Sequence, residues 1–550
     1  MKMKLFLSVF IMFTGIFSVC SEEIILDGGK LMPSDVVKVA KHHARVTLSD
    51  EAVERVRKSH NILLVAAEKG HDIYGLTVGV GLNKDQKMIG ADGGLSEEVV
   101  RLSEEFNQGL IYAHSAGVGP EMSKEVVRAI MVTRLNSILF GSTGVQLRVA
   151  EMYRDFLNSD IVPVIPSRGS VGEADITLIT HIGLAMIGEG MVYYKGEKMS
   201  AGKALKQARL QALVPFGKDS LAILSSNAYS EALAAMAVEE LSHGLEVAKF
   251  VFALSIQGLN GNIEPFLEHS NSVRPFPFVN KVAEDIRNIL HDSYLWGKSE
   301  DRPLQDPLSY RTAAYTFGAV ENSLTELRDI VRIQLNSSDD NPGVIPDVSP
   351  PSERYEERIH YVHEDDLTGA VLPTSNFSPL PWVISLQKAG IALAHASNAS
   401  AQRTIKLADP HFTKLKRFLG TESTIHAYGA IQKVFSSLAT ENQELARPVS
   451  FNFFAIAGNI EDVATNAPMV ARRIRKIIDN YYHILGIELM HAAQAIDLRL
   501  QQNPDLKLSA ATRIFFDEYR RTVPFMEKDR VLTGDIEHSY HFLKGYDPKP

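Results

Sequence analysis

Apolar residues recur at three-to-four spacing, with very few Gly or Pro, over three long stretches: Ala222 to Gly258, Leu380 to Leu407 and Val463 to Ile496. That is the helical period, held for longer than an ordinary surface helix requires. Segments such as "NAYSEALAAMAVEELSHGLEVAKF" and "GIALAHASNASAQRT" are rich in Ala and Ser, which lets helices approach closely. The pattern predicts a mainly α fold built on a long central helical bundle. Alternating patterns are few. "VVKVAKHHARVTL" near the start and "MVYYKGEKM" after Gly190 read as short strands. "IPDVSPPSERYEERIHYVHEDD" is polar and carries prolines, and reads as an exposed loop or hairpin insertion. No internal repeat is visible.

The opening "MKMKLFLSVFIMFTGIFSVCSEE" places lysines before an apolar run and small residues after it, the layout of an export signal. The run is short for a membrane span. The expected organisation is a leader over 1–20, an N-terminal region over 21–220 and a central and C-terminal helical bundle over 221–550. The mature chain is expected to be exported to the periplasm. Cys20 is the only cysteine; this excludes an intrachain disulfide and a cysteine metal site, and its position admits a lipid anchor. A net charge of −9, with only short basic tracts such as "KLKR" at Lys414 to Arg417, argues against a nucleic-acid partner and for a small-molecule substrate.

Candidate chemistry sits in polar clusters between the helical stretches. "YGLTVGVG", Tyr74 to Gly81, is a glycine-rich loop able to bring Tyr74 close to a ligand. Further clusters are "LIYAHSAGVG" around His114, "LQDPLSYR" ending at Arg311, "LNSSDDNPGVI" containing Asn341, and "SNFSPL" around Phe377. In this order, and with the C-terminal "VPFMEKDRVL", they resemble the aromatic amino acid lyase family, to which histidine ammonia-lyase belongs. The resemblance covers nearly the whole mature chain. It implies a fumarase/aspartase-like helical lyase, a homotetramer whose active sites are shared between subunits, and no metal. By the same resemblance Tyr74 is the base that takes a β-proton, Arg311 clamps the substrate carboxylate, and Glu441 and His114 attend the ring. Asn341 and Phe377 match pocket positions; Lys414, with Lys416 beside it, is a weaker candidate.

The family also makes its own electrophile, methylidene-imidazolone, by cyclising an internal Ala-Ser-Gly. Here Gly169-Ser170-Val171-Gly172 is intact and Asp175-Ile176 follows, but Glu173-Ala174 stands in place of the tripeptide. No serine is present there to dehydrate and no glycine nitrogen to close the ring, so the cofactor is expected to be absent. Two other positions depart with it. Ser225-Ser226-Asn227-Ala228 replaces the family's Asn-Gly-Thr-Gln, and Leu308 replaces a tyrosine, although Gln305, Asp306, Ser309 and Arg311 remain. An electrophile is needed because a free α-ammonium gives up its own proton before the β-carbon does. A quaternary amine has no such proton and leaves as neutral trimethylamine. The expected substrate is therefore a histidine-derived aromatic betaine, with ergothioneine going to thiourocanate. An ordinary histidine or aromatic ammonia-lyase, and a catalytically inactive periplasmic betaine-binding relative, stay open as alternatives.

Overall fold

The computed structural model describes residues 22–73, 75–78, 97–351 and 358–548. Six helices organise it: α1 (Lys124–Leu139), α2 (Ala228–Leu259), α3 (Ala313–Leu335), α4 (Leu380–Leu407), α5 (Gln432–Leu445) and α6 (Ala467–Gln502). α2 lies at the centre, packed along α6 and flanked by α1 and α3, while α4 packs on both α3 and α6. Small residues set the spacing. A Cβ on Gly258 would lie 3.1 Å from Cβ of Ala495, and one on Gly244 would lie 3.4 Å from the Tyr482 hydroxyl. With neighbours on all sides, α2 is buried around nearly its whole circumference, which its predominantly apolar composition allows. Asp219–Leu259 is long and apolar enough to cross a membrane, yet its most apolar window is 94% buried inside the molecule. One continuous hydrophobic core runs from Leu26 in the N-terminal region to Leu543 near the C-terminus.

The bundle contains a closed ion pair. Arg403 on α4 donates from Nε and Nη2 to Glu488 on α6 at 2.6 and 2.8 Å, and Ser400 adds a third hydrogen bond at 2.5 Å. Both partners are fully buried, so removing either would strand a charge in the core. The Arg403 carbonyl accepts from the Tyr310 hydroxyl, and Arg403 Nη1 reaches the Ser309 carbonyl at 3.4 Å. The short helix Leu308–Arg311 is thereby tied to the bundle.

Three sequence-based expectations need revision. The stretch from Ala222 is not one helix: Asp219–Leu224 ends, and α2 starts only at Ala228. Buried Asp339 causes the break by accepting from Ser226 Oγ at 2.8 Å and from the Asn227 backbone N–H at 2.7 Å. Near the start, only Arg45–Leu48 is a strand, parallel to Glu23–Leu26. The preceding Pro33–Lys41 is helical because Val36, Val39 and Ala40 are spaced to pack on α1 as one helix face. The third helical stretch begins at Ala467, since the residues from Val463 to Asn466 form a connection held against the loop described below. The Met191–Tyr194 and Glu197–Ser200 hairpin forms as expected. It turns through Lys195 and Gly196, both with positive φ, the geometry of a tight two-residue turn. The polar insertion itself supplies the strand Tyr361–Glu364, which pairs with Leu367–Leu372 as a hairpin and, with Gly343–Pro346, makes a three-stranded sheet.

Candidate active site

The segment Gly169 to Asp175 is a tight loop between the strand Pro166–Arg168 and the helix Ile176–Met186. Gly172 (φ 88°) needs its glycine, because a Cβ there would lie 2.4 Å from the Ala467 nitrogen. Ala174 also has positive φ, at 60°, which a residue with a side chain rarely adopts. Contacts from distant elements enforce this shape. Val171 and Gly172 carbonyls accept from the Asn466 N–H at 2.7 Å and the Thr465 hydroxyl at 3.1 Å. Ser170 donates to Asp175 at 2.6 Å and accepts from the Gly172 N–H at 3.1 Å.

Asn227 is the bracket of the site. Its Oδ1 accepts from the Ala174 N–H at 3.1 Å and its Nδ2 donates to the Phe377 carbonyl at 2.5 Å. The Phe377 segment is held a second time, where Asn341 Oδ1 accepts from the Thr374 N–H at 2.9 Å. The fold thus brings Glu173, Ala174, Asn341 and Phe377 onto one wall. Burial pushes the half-buried Glu173 carboxyl up to about 7, against a lowering hydrogen bond from Ser378 and with help from the negative charge of Glu461.

Behind this wall lies a buried charge cluster. Arg134 on α1 contacts Asp339 at 3.1 Å and Asp340 at 3.0 Å, and Lys218 reaches Asp340 at 3.2 Å. Burial works against the Asp340 charge, but Arg134 and Lys218 outweigh it and hold that carboxyl below its usual value. Asp175 goes the other way: burial raises it to about 6, although Ser170 and Ser230 both hydrogen-bond to it. Glu231, in the first turn of α2, is raised well above the carboxylate range by burial.

The other expected residues are distributed more widely. Tyr74 lies outside the described residues. Its flanks are packed in: Leu76, Thr77 and Val78 N–H groups all donate to the Ile73 carbonyl, and a Cβ on Gly75 would meet Leu221 at 2.4 Å. Leu221 belongs to the helix that ends just before the Asn227 bracket. His114 ends the helix Glu97–His114 with Nδ1 donating to the Leu110 carbonyl at 2.8 Å, which leaves Nε2 for another partner. Three residues on, Gly117 lies against Gly169 of the loop.

Arg311 is half-buried at the end of its short helix and lines a cleft of about 920 Å³ with Asn262, Trp296, Arg302 and Asp306. Glu441 is exposed on α5 and accepts from Asn480 at 2.9 Å. Lys414 is exposed, with Nζ 3.3 Å from the His411 carbonyl. Among the described residues of one chain, no hydrogen bond or ion pair joins Arg311, Glu441 or Lys414 to the Glu173 wall.

Sequence reading missed the structural half of the site, namely Asn227 as bracket and Arg134, Lys218, Asp339 and Asp340 behind it. A signal existed for part of it. Arg134 interrupts the apolar "AIMVTRLNSIL", and the doublet Asp339-Asp340 directly precedes Asn341; lone charges in apolar runs are buried only with partners.

The described surface also has an apolar side. Leu380, Ile384 and Ile391 are exposed along α4, and Phe451, Phe454 and Val463 are exposed in the approach to α6.

Residues 31–521 match the family described as aromatic amino acid lyase. Histidine ammonia-lyase of Geobacillus thermodenitrificans is 31% identical, across 95% of this chain and 97% of the relative. That of Natranaerobius thermophilus is 30% identical, across 93% and 95%. Among solved structures, ergothionase from Treponema denticola, in complex with desmethyl-ergothioneine sulfonic acid, is similar at 39% identity and a TM-score of 0.83, over 95% of this chain and 99% of that one. Histidine ammonia-lyase from Trypanosoma cruzi shares the fold, with a TM-score of 0.82 at 24% identity over 95% and 93% of the two chains.

Proposed function

Because this chain belongs to the aromatic amino acid lyase family and is a carbon–nitrogen lyase, we propose that it eliminates trimethylamine from a histidine-derived betaine, converting ergothioneine to thiourocanate. The observation that carries this reading is the Glu173-Ala174 dipeptide in a loop whose remaining features are kept. The residues there do not fit methylidene-imidazolone. The only hydroxyl in the loop belongs to Ser170, which is engaged by Asp175 and the Gly172 N–H, and Glu173 puts a carboxyl beside the position the ring would take. The 39% identity to an ergothionase, against 24–31% to the histidine ammonia-lyases compared, supports the same choice.

In this mechanism the Tyr74 phenolate removes the β-proton. The resulting electron pair forms the Cα–Cβ double bond, and the C–N pair departs with neutral trimethylamine. Arg311 holds the carboxylate through the two parallel hydrogen bonds of a guanidinium. His114 and Glu441 hold the ring, with Asn341, Phe377 and Lys414 in contact with substrate. Since Arg311 and Glu441 do not meet the Glu173 wall within one chain, the site is completed between subunits of a homotetramer, and the exposed apolar residues of α4 are the surface that packs. The leader over 1–20 exports the chain to the periplasm, with Cys20 available as a lipid anchor.

The test is to incubate purified protein with ergothioneine and, separately, with histidine. Trimethylamine release with a new conjugated-acrylate absorbance is expected from the first and no ammonia from the second. Ammonia from histidine would make the chain an ordinary ammonia-lyase, and binding of ergothioneine without conversion would make it a binding relative. The 169–181 peptide should have the mass of its plain sequence; loss of water would mean that a cyclised group forms after all.

A further inference from the structure

Glu173 has a setting that its neighbours in the loop do not explain. Asn227 fixes the backbone on both sides of it, through Ala174 and Phe377, and the conformation at Ala174 is one that needs such holding. The carboxyl is only half-buried, so it faces an approachable space. Among the described residues its hydrogen-bond partner is the Ser378 hydroxyl, which follows the Phe377 carbonyl held by Asn227. Among the described residues no Lys, Arg or His forms an ion pair with it; the charged group facing it, from the segment ahead of α6, is another carboxylate, Glu461. A carboxylate held out of water without a cation is unfavourable unless something else supplies the charge. A quaternary ammonium has no N–H to place and can supply that charge by proximity alone.

We propose that Glu173, held in the loop by the Asn227 bracket, is the specificity-determining residue that recognises the substrate's trimethylammonium group. The inference rests on the betaine reading above and adds the residue that selects for the cation. Glu173 acts on binding and not on bond breaking. As the C–N bond breaks, the positive charge on nitrogen disappears, so a nearby carboxylate stabilises the ground state more than the transition state. Such an interaction lowers KM without raising kcat. Glu173 also makes binding depend on pH. In the free protein its carboxyl is half-protonated at about 7, and only the ionised form attracts the cation. Affinity therefore rises as pH increases through that value.

The experiment is calorimetric binding of ergothioneine and of its uncharged isostere, with a tert-butyl group in place of trimethylammonium. It is run on the full-length wild type, Glu173→Gln and Glu173→Asp at pH 6 and pH 8. The expected result is a wild type that prefers the betaine by about tenfold or more at pH 8 and less at pH 6. Glu173→Gln should lose both the preference and its pH dependence, while its affinity for the isostere stays the same; Glu173→Asp should keep part of the preference. In turnover, Glu173→Gln should raise KM about tenfold and raise kcat. A Gln variant that keeps the preference, or that lowers kcat with KM unmoved, would overturn the assignment. Trimethylamine release by a wild type that binds both compounds equally would also overturn it, leaving the elimination intact. A wild type that discriminates but releases no trimethylamine would sustain the Glu173 assignment and remove the lyase reading instead.

Discussion

Asn227 uses both ends of its amide to join two segments far apart in sequence, at Ala174 and Phe377. Replacing it with Ala leaves a buried N–H and a carbonyl unpaired, at about 1–3 kcal/mol for each group left unsatisfied. The Asn227→Ala variant should therefore lose about 2 kcal/mol or more in denaturant unfolding, and its turnover should fall as the Glu173 wall loosens. Full activity in Asn227→Ala would mean that the loop holds its shape without the bracket. At Tyr74, loss of the general base should cost about 10²-fold or more in rate. Tyr74→Phe should then release trimethylamine at under a hundredth of the wild-type rate while still binding ergothioneine in the calorimeter. Retention of a tenth of the rate would point to Glu441 as the base. Glu173→Gln should alter stability with a definite sign. The folded carboxyl titrates at about 7 against a usual 4.5, so the folded state holds the proton more tightly and loses stability as pH rises from 4.5 to 7. Above that window Gln removes a charge that the fold disfavours, a gain of about 1 kcal/mol once solvent screening of this half-exposed group is allowed for. Thermal melts of Glu173→Gln and wild type should coincide at pH 4 and separate at pH 8, with the variant higher.

Elements meet at the site through charges that no single element could bury. α1 supplies Arg134, the helix Asp219–Leu224 has Lys218 at its start, and Asp339 and Asp340 follow α3. Asp339 holds the start of α2 by its carboxylate, a favourable place for negative charge because the N-terminal N–H groups of a helix lack partners. Asp340→Asn takes the charge away from Arg134 and Lys218 together. Breaking a buried pair by removing one partner costs about 3–5 kcal/mol, so the denaturation midpoint of this variant should drop sharply with an unchanged slope. A loss under about 1 kcal/mol, the range of an exposed pair, would mean that the cluster is solvated in solution.

At the scale of the whole molecule, the expected assembly makes a quantitative prediction. If each site takes Tyr74 from one subunit and Arg311 from another, two inactive variants can complement each other. Mixed, unfolded and reassembled in equal amounts, Tyr74→Phe and Arg311→Lys should recover roughly a quarter of the wild-type sites by random pairing. No recovery, in a mixture whose light-scattering mass is that of four chains, would put both residues in the same subunit. Exposed Leu380, Ile384 and Ile391 on α4 are the place to disrupt assembly: Ile384→Glu should lower the oligomer mass and the turnover together, since a charge in a packed apolar contact is left without a partner.

The long helices were legible because a helix that buries one or more faces must repeat its apolar residues, and for α4 the periodic stretch Leu380 to Leu407 coincides with the helix. The loop chemistry was legible for a different reason: whether a serine and a glycine stand between Gly172 and Asp175 is a covalent fact, fixed before folding. What the sequence left open is everything that depends on partners far along the chain. The break at Ser225–Asn227 is a short polar triplet inside a stretch of helical period, and Asp339, more than 100 residues later, makes leaving the helix favourable there. The alternation from Val36 reads as strand, and only the face that α1 offers makes Pro33–Lys41 a helix. Glu173 is one more surface-like glutamate in the sequence; its half-buried setting against Ser378 comes from the Asn227 bracket. Local periodicity determined the elements, and long-range hydrogen bonds between buried polar groups decided where they stop and which side chains face the site.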